Sequence, residues 1–251
     1  MKYFIITGTS KGLGFSIAKQ LVTEGNTIFC LSRKQNNELK GLATSKDVNL
    51  YYFSCDLQKL EEIERVVDKI FTAIDFTHAE GIYLINNAGV VDPIKPAGKA
   101  STKELSTNIR VNLLAPMVLS NLFIQNTKSI PTKKMIINLS SGAANRPVYG
   151  WSSYCSTKAG IDMFTQTVGL EQQSEENPIT VISFSPGVMD TDMQSIIRQS
   201  DKEDFADVEN FIEYNKTGML RSADLVAEKM LELVFTKKVE NGKVYDIKSL
   251  I

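Results

Sequence analysis

The sequence predicts a doubly wound α/β domain, with about seven parallel strands in one sheet and helices on both faces. Three observations carry that expectation. Short apolar runs alternate with longer amphipathic stretches along the whole chain, as they do when strands buried on both faces are joined by crossover helices. The first apolar run opens onto a glycine-rich turn and then a helical pattern, the order that directs backbone N–H groups at a phosphate. No Pro/Gly/Ser-rich linker, repeat or low-complexity tract interrupts residues 1–251, so one domain is expected.

Composition narrows the function classes. The chain is 43% hydrophobic and 23% charged with a net charge of −1. Both signs are interspersed, so there is no electrostatic footprint for nucleic acid or an anionic membrane. Cys30, Cys55 and Cys155 are widely separated and form no Cys-x-x-Cys pair, which argues against a disulfide framework or a zinc site and suits a reducing compartment. His78 is the only histidine, so no metal site and no His-based triad can be assembled. The apolar part of residues 1–7 is too short for a signal peptide, and no segment approaches the ~18 apolar residues of a membrane span. A cytoplasmic protein with a small-molecule partner is expected.

Taken in order, residues 3–7 form the first strand, followed by Gly8-Thr9-Ser10-Lys11-Gly12-Leu13-Gly14. Leu13, Ile17, Ala18, Leu21 and Val22 then recur at helical spacing until Gly25-Asn26. Residues 27–31 form the second strand, which ends in Ser32-Arg33-Lys34. Dinucleotide folds that take NAD usually place a carboxylate there for the ribose 2′-hydroxyl. None is present. A solvated basic loop is the competing reading, but the missing acid favours a 2′-phosphate held by Arg33 through paired charge-assisted hydrogen bonds, with Lys11 closing on it: NADP rather than NAD.

Residues 35–47 read as loop or weak helix and 50–54 as a third strand ending in Cys55-Asp56-Leu57. An amphipathic helix spans 60–74, and a fourth strand, 81–85, leads into Asn86-Asn87-Ala88-Gly89. Helical segments cover 102–126 with a break expected near Pro116. Asn112 is unfavourable in a helix interior and signals a polar role or a kink. Residues 135–139 form the fifth strand and 179–184 the sixth, ending in Ser185-Pro186-Gly187-Val188-Met189-Asp190-Thr191. Residues 190–217 lack a strong period and are expected to form a lid. A last helix at 223–235 and a final strand at 243–247 complete the set.

The stretch 140–158 concentrates the chemistry. It follows the fifth strand and enters a helix predicted over 152–173. Tyr154 and Lys158 lie four residues apart, on one helix face. A phenol titrates near ~10 when free, and an adjacent ammonium is expected to lower that value, preparing the phenol to exchange a proton with a carbonyl oxygen. Ser141 is placed to hold the same oxygen. Cys155 is read as a packing residue.

With Gly8-x-x-x-Gly12-x-Gly14, Asn86-Asn87-Ala88-Gly89, Ser141, Tyr154-x-x-x-Lys158 and Pro186-Gly187 in this order, the chain resembles the short-chain dehydrogenase/reductase family over essentially its whole length. The resemblance implies a Rossmann-type domain that binds NADPH/NADP+ and reduces carbonyl groups. It implies that Tyr154 donates the proton, Lys158 tunes it and binds the nicotinamide ribose, Ser141 holds the carbonyl, and Asn112 orders a water leading to Lys158. Gly8, Ser10, Lys11, Gly12, Leu13 and Gly14 cradle the pyrophosphate, Asp56 and Leu57 meet the adenine, and Asn87, Ala88 and Gly89 meet the adenosine side. Pro186, Gly187 and Val188 line the nicotinamide and Thr191 reaches its carboxamide.

Residues 185–194 look like those of sepiapterin reductases. Together with Ser141-Gly-Ala-Ala and Gly150-Trp-Ser-Ser-Tyr-Cys155 they look closer to the bacterial benzil reductases that form (S)-benzoin. A 1,2-diketone substrate is therefore expected. Tyr149, Trp151, Met189 and Met193 are implied to form an apolar, aromatic substrate pocket, with ordinary packing an equal alternative for the two methionines. A pterin side-chain carbonyl is the alternative substrate, but Asp246 near the C-terminus does not align with the pterin-anchoring carboxylate without a gap. A non-catalytic NADP-sensing protein is the alternative of another class, disfavoured because Tyr154 and Lys158 are both present. The family usually assembles through the helices carrying Asn112 and Tyr154, which implies a dimer or tetramer.

Overall fold

The computed structural model describes residues 1–251. Seven strands form one sheet in the order β3-β2-β1-β4-β5-β6-β7: β1 (Lys2–Thr7), β2 (Asn26–Ser32), β3 (Asn49–Ser54), β4 (Gly81–Asn86), β5 (Lys133–Leu139), β6 (Thr180–Ser185) and β7 (Val244–Asp246). Every pairing is parallel. The chain adds strands outward on one side of β1 and then returns to add the rest on the other. The C-terminal ends of β1 and β4 therefore flank a switch point, where a doubly wound sheet opens a crevice.

Strand alternation explains the near-continuous apolar runs. Phe4 and Ile6 of β1 point into one core with Tyr83 and Ile85 of β4, while Tyr3, Ile5, Ile82 and Leu84 point into the other. The first core is closed by α1 (Gly12–Leu21), α2 (Asn37–Ser45) and α9 (Ala223–Thr236). The second is closed by α3 (Leu60–Ala73), α5 (Ala115–Thr127) and α6 (Ser152–Glu171). Burying each such aliphatic or aromatic side chain contributes roughly 1.5–3 kcal/mol, so the sheet is fixed from both sides.

Four local outcomes refine the expectations. The weak helix at 35–47 forms as α2, because the Asn36 side chain caps it by accepting from Leu39 N at 2.9 Å. The interruption in the 102–126 helix lies before Pro116, not at it. After α4 (Thr102–Ile109) the chain widens into a π-helical turn, Arg110–Leu114, where Ala115 N donates to Arg110 O, five residues back. Pro116 lacks an N–H, and the widened turn absorbs that loss without ending the helix. Strand β7 stops at Asp246, because its carboxylate accepts from Lys248 N at 2.8 Å and turns the chain. The segment 190–217 forms α7 (Asp192–Arg198) and α8 (Val208–Lys216), which pack on each other.

Candidate active site

A crevice of about 920 Å³ runs along the C-terminal ends of the strands. Its floor is the glycine turn between β1 and α1. A Cβ on Gly8 would come within 2.9 Å of Asn87 Nδ2, and one on Gly14 within 2.3 Å of the Gly8 carbonyl. Both positions require glycine. Asn87 secures the wall opposite, its Nδ2 donating to Thr7 O at 2.9 Å while Asn87 N and Ala88 N both donate to Thr7 Oγ1 at 3.0 Å.

At one end, Ser32, Arg33, Lys34 and Gln35 line the crevice beside Asp56, Leu57 and Gln58. Arg33 and Lys34 are exposed. Lys11, also exposed, makes an ion pair with Asp192 at the start of α7, so one of the two expected phosphate cations already bridges to that helix.

At the other end, β5 delivers Ser141 and α6 delivers Tyr154 and Lys158 to the same wall. Ser141 is pinned as its Oγ accepts from Ala143 N at 3.2 Å. Tyr154 stacks edge-on to Trp151 with ring centroids 5.2 Å apart. Lys158 Nζ donates to Leu139 O at 2.7 Å and lies 5.8 Å from the Tyr154 ring centroid.

Burial governs both titrations. Enclosure pushes the Tyr154 phenol up to about 12, with the Ser141 hydroxyl pulling the other way. Burial pushes the Lys158 ammonium down to about 8, opposed by the charge of Asp162. The expected lowering of the phenol by the lysine is thus corrected: desolvation of a phenolate in this pocket sets the direction, and the group that pulls it down is Ser141, not Lys158. The phenol is a neutral O–H at physiological pH, the form that donates a proton.

Among the residues read from the sequence, Gly8, Ser10, Lys11, Gly12, Leu13, Arg33, Asp56, Leu57, Asn87, Ala88, Gly89, Ser141, Tyr154, Lys158, Pro186, Gly187, Met189, Thr191 and Met193 line this crevice. Five do not. Gly14 lies beneath the turn, where its role is close packing. Val188 packs instead against an aromatic cluster. Trp151 is only 6% exposed and is clamped behind Tyr154 by Phe205 and Phe211, at 4.8 and 5.5 Å between centroids. Tyr149 is 57% exposed and packs outward.

Asn112 also leaves the lining. Its Oδ1 accepts from Val90 N at 2.8 Å, and its Nδ2 donates to Val90 O at 2.7 Å and Asn108 Oδ1 at 3.2 Å. The side chain clamps the loop after Gly89, where an added Cβ would lie 3.3 Å from Asn112 Oδ1 and 3.8 Å from Lys158 Nζ. Sequence reasoning missed Thr107, Val111, Gln58 and Gln35 on the walls. The spacing of Thr107 and Val111, four apart on a helix leading to Asn112, was the available signal for two of them.

The family pattern described as short chain dehydrogenase matches residues 2–202. The chain belongs to this family. It is therefore an oxidoreductase of carbonyl and CH–OH groups that uses a nicotinamide cofactor. It is 47% identical to benzil reductase ((S)-benzoin forming) of Bacillus subtilis over 251 residues, covering 100% of both chains. Sepiapterin reductase of Bos taurus is more distant, 27% identical over 256 residues, with 96% of this chain and 92% of that one covered. The crystal structure of levodione reductase shares the fold, with a TM-score of 0.81 at 20% identity over 98% of this chain and 95% of that one.

The residues present fit a nicotinamide dinucleotide. The glycine cradle leaves no room for a Cβ at Gly8, and the chain beyond β2 offers cations and no carboxylate from Ser32 to Gln35.

Proposed function

We propose that this protein is an NADPH-dependent carbonyl reductase that reduces one carbonyl of a 1,2-diketone such as benzil, giving (S)-benzoin. The observation that carries the reading is the convergence of Ser141, Tyr154 and Lys158 at one end of a crevice whose other end presents Arg33 and Lys34. Full-length similarity to benzil reductase supports the substrate class. NADPH rather than NADH is supported by the exposed cations and the missing acid after β2.

Gly8, Ser10, Gly12 and Leu13 would hold the pyrophosphate, and Arg33 with Lys34 the 2′-phosphate. The bound cofactor supplies a hydride to the carbonyl carbon. Ser141 donates a hydrogen bond to the carbonyl oxygen and fixes its direction. Tyr154 transfers its phenolic proton to that oxygen as negative charge develops there. Lys158, as an ammonium, stabilises the phenolate left behind. Asn112 acts by holding Val90 and the Gly89 turn against Lys158 rather than by contact with substrate. Met189 and Met193 supply deformable apolar walls for a flat aryl ketone. One proton from solvent resets Tyr154, so the balance is diketone, NADPH and a proton to hydroxyketone and NADP+.

The pterin alternative lacks its anchor, since Asp246 is not among the residues that line the crevice. No helix is long and apolar enough to cross a membrane. Three free cysteines suit the reducing cytoplasm. Exposed Met163 and Leu170 on α6 suit assembly with a second copy through that helix. Side-by-side assays of benzil and sepiapterin, following NADPH absorbance, test the substrate. Benzil is expected to turn over at least about tenfold faster in kcat/KM, a difference of about 1.4 kcal/mol in transition-state binding. Faster turnover of sepiapterin would overturn the diketone reading.

A further inference from the structure

One buried acid next to the site has no part in the chemistry above. Tyr154, Lys158 and Asp162 stand on α6 at successive turns, and all three are buried. Asp162 is 6% exposed. Its Oδ1 is fully buried without a hydrogen-bond partner, and so are Ser140 Oγ and Ser185 Oγ. A carboxylate withdrawn from water in this way is costly unless an opposite charge accompanies it.

The groups around it leave one such charge. On the sheet face beneath α6, alternation presents Asn138 and then Ser140 from the β5 side, and Ser183 and then Ser185 from β6. None of these is charged. On α6 itself the titratable neighbours are Tyr154 and Lys158. Lys158 is the only charge acting on Asp162, and Asp162 the only charge acting on Lys158.

Part of the polar layer under α6 closes without the acid: Asn138 Nδ2 donates to Thr165 Oγ1 at 2.9 Å, Ser183 Oγ donates to Thr165 Oγ1 at 2.9 Å, and Thr165 Oγ1 donates to Ile161 O at 2.9 Å. The Ser140 and Ser183 hydroxyls beside the carboxyl favour its charged form against the burial that disfavours it, but they carry no charge to balance it. Nor do acid and lysine touch, because Lys158 Nζ is directed to Leu139 O. Their interaction is Coulombic, so a neutral isostere cannot replace it.

We propose that Asp162 is a positioning residue for this reaction, a buried counter-charge that keeps Lys158 an ammonium beside Tyr154. The proposal rests on the reading of Tyr154 and Lys158 as the proton-handling pair. Its consequence is that removing the charge, with the shape kept, makes Lys158 lose its proton at lower pH and narrows the range over which the enzyme works.

The test is a titration of the apo protein carrying 13Cε-labelled lysine, with the Lys158 resonance assigned by its loss in Lys158→Met. Wild type is expected to titrate near 8, Asp162→Asn about one pH unit lower, and Asp162→Glu close to wild type. The alkaline limb of kcat with benzil and NADPH should move with the Lys158 midpoint, while KM for benzil stays within about twofold, since Asp162 does not reach the crevice lining. An unmoved midpoint in a natively folded Asp162→Asn, judged by circular dichroism, overturns the proposal. If that variant does not fold, Asp162→Ser removes the same charge and is read in the same way. Tyr154→Phe in the same assay separates the two levels. Surviving turnover there sinks the enzyme reading, whereas a dead Tyr154→Phe with an unmoved Lys158 midpoint sinks only the role of Asp162.

Discussion

The two ends of the crevice are built on opposite principles. At the end of β5, Ser141, Tyr154 and Lys158 are held by backbone hydrogen bonds and an aromatic wall, and burial moves the Tyr154 phenol up to about 12 and the Lys158 ammonium down to about 8. At the end of β2, Arg33, Lys34 and Lys11 stand in solvent. Lys11 and Asp192 keep 69% and 68% of their side-chain surface exposed. Charges in water interact weakly and are screened within about 10 Å at ordinary ionic strength. One end is therefore suited to altering the reactivity of a group, the other to choosing between ligands that differ by a phosphate.

Breaking the buried end should have the larger effect. Tyr154→Phe removes the group assigned to give the proton, and kcat for benzil should fall by roughly 10²- to 10⁴-fold. NADPH affinity, measured by fluorescence titration, should change less than about threefold. A rate close to wild type would dissolve the distinction between the two ends.

The pH dependence sharpens the same contrast. Tyr154 remains protonated to about 12 and Lys158 to about 8. The rate of reduction should therefore be level on the acid side of 8 and decline above it as the ammonium loses its proton. Because Lys158 is lowered, not raised, by folding, its decline starts on the alkaline side well before an exposed lysine would titrate. A kcat profile extending undiminished past pH 10 would show that the ammonium is dispensable.

At the exposed end the effect should be smaller and confined to binding. Arg33→Ala is expected to raise KM for NADPH about tenfold, leave KM for NADH within about twofold, and hardly alter kcat. The NADPH penalty should shrink as salt is added, since it arises from solvated charges. Equal losses for the two cofactors would remove Arg33 from the selection of the 2′-phosphate.

Local spacing made much of this molecule legible. Gly8, Gly12 and Gly14 after an apolar run dictate a turn that no other residue can form, and Tyr154 and Lys158 share a helix face by arithmetic alone. What stayed hidden depends on distant chain. Trp151 looked like a pocket wall, yet Phe205 and Phe211, more than 50 residues further on, enclose it behind Tyr154. The sign of the Tyr154 shift was misread because the spacing of a lysine says nothing of how deeply both groups are buried. Asn112 announced itself as out of place in a helix, but the widened turn that accommodates it arises from Pro116 and from Val90 across the loop. Asp162 shares the Tyr154–Lys158 spacing, and only the folded sheet shows that its surroundings contain no other charge.

Trp151 is the sole tryptophan in the chain, and it bridges the Tyr154 ring to Phe205, between α7 and α8, and to Phe211, on α8. Intrinsic emission excited at the indole band therefore originates from a single spot, directly behind the proton donor. The molecule carries its own optical gauge, in which rearrangement of α7 and α8 or a ligand beside Tyr154 registers as a change in colour or quenching, with no label added.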